Sequence, residues 1–166
     1  NADVRIVDEK DRPLPDGEVG EIVVKGPMVM QGYWQNPEAT AEAIRDGWMH
    51  TGDAGYRDSE GFFYIVDRIK DLVITGGENV SSVEVENCIY QLDAVSECAV
   101  FGIPHEDWIE TVHAEVVTKP NSTITEAQVI AHCKSQMTTF KCPRSVIVRD
   151  EPLPISGTGK IMKNEL

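Results

Sequence analysis

The sequence predicts an α+β chain: a small C-terminal domain with a mixed sheet and packed helices, preceded by the β-rich end of a larger domain. Three observations predict it. Residues 1–66 are mostly short apolar runs broken by polar turns. Beyond residue 71, strand-like runs interleave with two helical segments. Between the two lies Asp67-Arg68-Ile69-Lys70-Asp71, a charged knot flanked by apolar residues, which puts the domain boundary there and the domains at 1–67 and 68–166.

In chain order, Val4 to Val7 reads as a strand, Pro13 to Gly17 as a turn and Gly20 to Lys25 as a second strand. Asn36-Pro37-Glu38 starts a helix, with Asn as N-cap and Pro at the first helical position; it runs to Ile44 and Gly47 stops it. Asp53 to Arg57 and Phe62 to Val66 flank the polar Asp58-Ser59-Glu60-Gly61 turn as a hairpin. The second part begins with a strand from Leu72 to Thr75, then Gly76-Gly77, then a helix over about Ser82 to Leu92. Strands over Val95 to Gly102 and Val112 to Thr118 follow. Thr125 and Glu126 open a helix through about Met137, and Ser145 to Val148 is the last strand.

With 166 residues and 41% apolar content the chain can bury a core as one domain or two small ones. Its net charge of −13 argues against general binding to nucleic acid or anionic membranes. Charge is uneven: −7 over residues 1–66, −8 over 67–119 and +2 over 120–166. Cys88, Cys98, Cys133 and Cys142 lack CxxC spacing and paired histidines, so no metal site is predicted. Cys88 and Cys98 read as small core residues and His132-Cys133 as a helix-surface pair; a reducing, cytoplasmic setting fits. No signal peptide or membrane span is read. The chain opens within an apparent strand, which predicts that it is cut from a longer protein.

The only net-positive stretch includes Pro154-Ile155-Ser156-Gly157-Thr158-Gly159-Lys160, a glycine-flexed loop ending in a lysine. Glycines let backbone approach an anion closely, and an ammonium supplies a movable positive point. The loop is not a Walker A motif, which needs Gly at Pro154 and Ser or Thr at Ile161.

Further motifs accompany it in order: Gly32-Tyr33-Trp34 with Asn36-Pro37-Glu38-Ala39-Thr40; Gly47-Trp48 leading to Thr51-Gly52-Asp53; Tyr64-Ile65-Val66-Asp67-Arg68-Ile69-Lys70-Asp71 running into Gly76-Gly77-Glu78-Asn79-Val80 and Glu84-Val85-Glu86; and Phe140-Lys141-Cys142-Pro143. Together with the Lys160 loop, this series resembles the C-terminal third of the adenylate-forming superfamily, most closely its fatty and aryl acid–CoA ligases. The resemblance implies an enzyme that joins a carboxylate to the α-phosphate of ATP with Mg2+, then passes the acyl group to CoA. It also implies that the phosphate loop, the acid pocket and the magnesium-holding glutamate belong to an upstream N-terminal domain, leaving this fragment inactive alone.

By resemblance, Lys160 bridges carboxylate and phosphate oxygens; taken alone it is a surface lysine on a flexible tail. Asp53 accepts hydrogen bonds from the ribose hydroxyls, or caps the Thr51-Gly52 bend, or does both. Arg68 lies near ribose and phosphate, against the alternative of an ion pair with Asp67 or Asp71. Ile65, with Tyr64, walls the nucleotide, although alternating apolar residues are more often core. Lys70 falls at the hinge between two orientations of the small domain. Gly76 and Gly77 line a pantetheine channel or form a simple tight turn. Trp108, Phe140, Lys141 and Arg144 are the expected CoA contacts. Cys142 replaces a basic residue of some relatives, His105 ends a segment that commonly reads Gly-x-Pro-Asp, and Ile109 stands where a Gly usually precedes Glu110. Two other readings stand beside the ligase: an adenylation domain that loads a carrier protein, and a non-catalytic interaction module retaining the fold.

Overall fold

The computed structural model describes residues 2–166. The chain divides into two compact units between Lys70 and Asp71. The first holds β1 (Asp3–Val7), β2 (Gly20–Lys25), α1 (Pro37–Ala43), β3 (Ile44–Arg45), β4 (Trp48–Arg57) and β5 (Phe63–Arg68). These strands form one antiparallel sheet in which β4 pairs β2 along one edge and β3 and β5 along the other. Ile6, Val7, Ile22, Val23 and Ala54 are its buried apolar residues. α1 begins as its sequence requires: the Asn36 side chain accepts from the Ala39 amide at 3.0 Å, and Pro37 occupies the first turn, where a missing N–H costs nothing. The helix ends one residue earlier than expected, because Ile44 turns extended to pair with Met49.

The second unit holds β6 (Val73–Thr75), β7 (Glu78–Val80), α2 (Ser82–Ile89), β8 (Val95–His105), β9 (Ile109–Thr118), α3 (Glu126–Gln136) and β10 (Ser145–Arg149). Its sheet is mixed: β10 runs parallel to β9, and the other pairs are antiparallel. β9 is central, with β8 on one edge and β10 and β6 on the other. α3 starts on a complete capping box in which Thr125 and Gln128 exchange side-chain and backbone hydrogen bonds. Several elements differ from the sequence reading: α2 ends at Ile89 and not near Leu92, and β9 begins at Ile109 and not at Val112. β7 is a three-residue strand, too short to show a period. β8 continues through Pro104, which a strand paired on one edge only tolerates.

One core cluster joins α2 (Val85, Cys88, Ile89), α3 (Val129, Cys133) and the sheet (Val100, Val112, Ala114, Val116). All four cysteines are free and buried, so His132-Cys133 is not a surface pair. Cys133 faces the core, its thiol pushed up to about 12 by desolvation, while His132 Nε2 meets the Cys88 carbonyl at 3.0 Å. A second cluster, Ala99, Val117 and Leu153, receives Ile161 and Leu166 from the chain's last residues. Lys163 fastens this segment: its ammonium donates to Ser82 Oγ at 2.7 Å and pairs with Glu86 at 2.8 Å, both side chains largely buried. Glu86 also accepts the Val100 amide.

At the β8–β9 turn Ile109 has φ +70°, a left-handed conformation that costs a β-branched residue roughly 1–2 kcal/mol. Its side chain is 66% exposed and gains little burial in return.

Two stability measurements follow from these contacts. Lys163→Met leaves the Glu86 carboxylate without its cation and should lower unfolding free energy by about 2 kcal/mol in urea denaturation, with Lys163→Arg recovering part of the loss. Ile109→Gly should raise it by about 1 kcal/mol, while Ile109→Val should not.

Candidate active site

In the first unit the site is built on an interruption of the β2–β4 ladder. Glu21 pairs with Ala54 and Val23 with His50, so Ile22 alone faces Thr51, Gly52 and Asp53. The three residues bulge out of β4, and bulges of this kind re-aim side chains. Gly52 takes φ +71°, where any Cβ would be strained and would lie 3.3 Å from Arg68 Nη2. Thr51 Oγ1 donates to the Ile22 carbonyl at 2.7 Å and accepts the Asp53 amide at 3.1 Å, replacing lost ladder bonds.

The bulge turns Asp53 toward its partner on β5, Arg68. The guanidinium lies 3.0 Å from Asp53 Oδ1. Arg68 therefore pairs across the sheet with Asp53 through its side chain; toward Asp67 it donates its backbone N–H, at 2.7 Å. A partly exposed pair contributes little to stability, but it fixes a carboxylate and a cation side by side. Ile65 is 70% exposed and Tyr64 nearly half so; the latter stacks on Tyr56 at 5.0 Å. Neither residue is buried in the core of this unit. Lys70 is exposed in a short 3-10 turn, Ile69–Asp71, that spans the division between the units.

In the second unit, Lys160 is exposed at the end of a loop bonded to itself. The Gly159 amide donates to the Ser156 carbonyl and the Ser156 amide to the Lys160 carbonyl, each at 2.8 Å, and Ile155 bridges Ile161. Gly159, at φ +80°, makes the reversal. These amides are spent within the loop and do not form an anion cradle; its cationic chemistry belongs to the lysine side chain. Both legs are anchored, Leu153 by its amide to Glu97 Oε2 at 2.9 Å and Ile161 by the second core cluster. Lys160 thus stands on a loop whose two legs are held against the unit's sheet.

Gly76 and Gly77 connect β6 to β7 as a two-residue hairpin, both at positive φ, as a type I′ turn requires. The Gly76 amide donates to the Trp108 carbonyl at 3.1 Å. The Trp108 ring stacks on His105 at 4.8 Å and carries the Arg144 guanidinium 3.2 Å from its centroid. Gly76, Trp108 and Arg144 therefore come together. Lys141 does not join them, its ammonium being held 2.7 Å from Glu84. Phe140 is half-exposed in the neighbouring 3-10 turn. Lys163 is an addition that sequence reading did not supply, because its partner Glu86 is distant in the chain; the stack of His105 on Trp108, three residues on, also went unread.

The chain's own residues do not fit a Mg2+ site: among the described residues no three His, Cys, Asp or Glu side chains gather to hold a metal. Among them, too, no helix is long and apolar enough to cross a membrane.

Residues 84–160 match the AMP-binding enzyme C-terminal domain, and residues 1–34 match the AMP-binding enzyme family. The chain is 47% identical over 164 residues to a feruloyl-CoA synthase of an Amycolatopsis species, covering 99% of this chain and 33% of the relative. It is 45% identical over 166 residues to a long-chain-fatty-acid–CoA ligase of Escherichia coli O6:H1, of which it covers 29%. Among solved structures it resembles ATP-bound MatB from Rhodopseudomonas palustris, with TM-score 0.88 and 44% identity over 99% of this chain and 33% of that one. The chain spans about a third of the length of the curated relatives it matches. It belongs to the AMP-binding, adenylate-forming enzymes.

Proposed function

We propose that this chain is the C-terminal part of an ATP-dependent acid–CoA ligase acting on a fatty acid, and that it supplies the ribose-binding pair, the hinge and the adenylation lysine. The observation that carries this reading is Lys160, an exposed ammonium on an anchored, internally bonded loop. In the first step a carboxylate oxygen attacks the α-phosphorus of ATP; the new P–O bond forms as the bond to pyrophosphate breaks. Both reactants are anionic, so Lys160, placed between them, offsets their repulsion and the charge developing on the phosphoryl oxygens. Asp53 accepts hydrogen bonds from the ribose hydroxyls while Arg68 keeps its carboxylate in place. In the second step the CoA thiol attacks the acyl carbon, giving up its proton; the C–S bond forms and AMP leaves with the C–O electrons.

Lys70 serves as the hinge that lets the second unit take two orientations, one presenting Lys160 and the other the Gly76–Gly77 turn. Exposed glycine backbone at that turn suits a narrow channel for pantetheine. The Arg144–Trp108 stack suits the nucleotide end of CoA, Phe140 adds apolar surface, and Lys141 would have to leave Glu84 to meet a phosphate. Without its upstream domain the chain is inactive. A carrier-protein acceptor would retain the first step and change only the thiol.

The full-length enzyme tests this directly. Lys160→Ala should slow acid-dependent ATP–pyrophosphate exchange about a hundredfold, a loss on the order of 3 kcal/mol, and spare thioester formation from supplied acyl-adenylate. Equal losses in both half-reactions would contradict the two-orientation assignment. Lys70→Pro, which removes a donor and locks one torsion, should impair thioester formation more than exchange; unchanged half-reactions would remove the hinge. Exchange across a panel of carboxylic acids identifies the acid class, and free CoA against a phosphopantetheinylated carrier identifies the acceptor.

A further inference from the structure

We propose that Glu21 of β2, held by His50, is a positioning residue that sets the direction of Asp53 and through it the affinity for the nucleotide; this rests on the ribose reading of Asp53. The bulge at Thr51–Asp53 detaches the Gly52 amide from the ladder, and the Glu21 carboxylate takes its place: Oε1 accepts the Gly52 N–H at 3.0 Å. The other oxygen, Oε2, is 2.8 Å from His50 Nδ1. An ionised carboxylate only accepts, so Nδ1 carries the proton and donates. His50 is itself nearly buried, with Nε2 3.6 Å from Asp11 Oδ1, and Glu21 is only one-fifth exposed.

Glu21 is thus clamped at one oxygen and clamps the backbone with the other. What it holds is the Thr51–Gly52 peptide, one residue before Asp53, at a glycine whose left-handed torsion has no steric restraint of its own. Thr51 fixes the residue before that glycine, and Arg68 fixes the Asp53 side chain beyond it. Thr51 also accepts the Asp53 amide, so Glu21 acts on the peptide before Gly52 and Thr51 on the peptide after it, and together they set the torsions that aim the carboxylate. Neither Glu21 nor His50 needs to touch the nucleotide for this. A charge-assisted bond to a backbone amide is strong enough to decide such an orientation.

The test uses the full-length enzyme with Glu21→Ala, Glu21→Gln, Asp53→Ala and the Glu21→Ala/Asp53→Ala double variant. Two readouts are taken: KM for ATP in pyrophosphate exchange, and amide hydrogen exchange of the peptide covering residues 48–57. Glu21→Ala should raise KM for ATP about tenfold with little change in kcat, and should speed amide exchange in that peptide. Glu21→Gln keeps a carbonyl acceptor for Gly52 and should recover most of both. In the double variant KM should rise no further than in Asp53→Ala alone, because the two act through one contact. Additive losses, or a normal KM in Glu21→Ala beside a raised one in Asp53→Ala, would overturn the inference. A normal KM in Asp53→Ala would instead remove the ribose reading, and the role of Glu21 with it.

Discussion

β9 must be buried on both faces, and the second unit is arranged to meet that demand. On one face Val112, Ala114 and Val116 pack into the cluster shared with α2 and α3. On the other, Val117 takes Leu153, Ile161 and Leu166 from the chain's end, and Glu115 is satisfied by Arg149 at 2.6 Å. A helix layer alone would leave that second face wet. Covering it with the C-terminal segment gives the Lys160 loop fixed legs, because the residues before and after the loop are the ones that cover the sheet. Lys163 completes the arrangement by carrying its charge back to α2, where Glu86 and Ser82 receive it.

The first unit solves a different problem with the same economy of parts. A regular β2–β4 ladder would point Asp53 wherever the pleat dictated. Inserting residues opposite Ile22 frees it, but exposes backbone groups that must find partners. Thr51 and Glu21 supply them, so the groups that repair the ladder also hold the backbone on either side of Gly52, next to Asp53. Arg68 arrives from the next strand by register, and a one-residue slip of β5 would remove it.

The two units hold the proposed site residues on opposite kinds of support. Asp53 and Arg68 rest on a sheet, where register fixes separation. Lys160 and the Gly76–Gly77 turn are at loop tips, where a self-bonded turn keeps shape while the side chain stays exposed. The Ile109 strain, at the same turn as Trp108, is a local conformational cost with the bulky tryptophan beside it stacked between His105 and Arg144.

The sequence by itself determined what depends on near neighbours. Asn36-Pro37 and Thr125 through Gln128 set helix starts through local hydrogen bonds, and Gly76-Gly77 set a hairpin through torsions only glycine adopts easily. Ordered motifs pointed to Asp53, Arg68 and Lys160 because each is embedded in a short, distinctive run. What required the tertiary structure was every pairing across distance. Arg68 chose Asp53 over its chain neighbour Asp67 because antiparallel register brings residues fifteen apart in sequence face to face. Cys133 went inward, against its reading as a surface residue, because α3 packs that side on the cluster. Glu21, His50 and Lys163 carry no local signature at all, since a charge's role is set by the partner that folding delivers and not by the residues beside it.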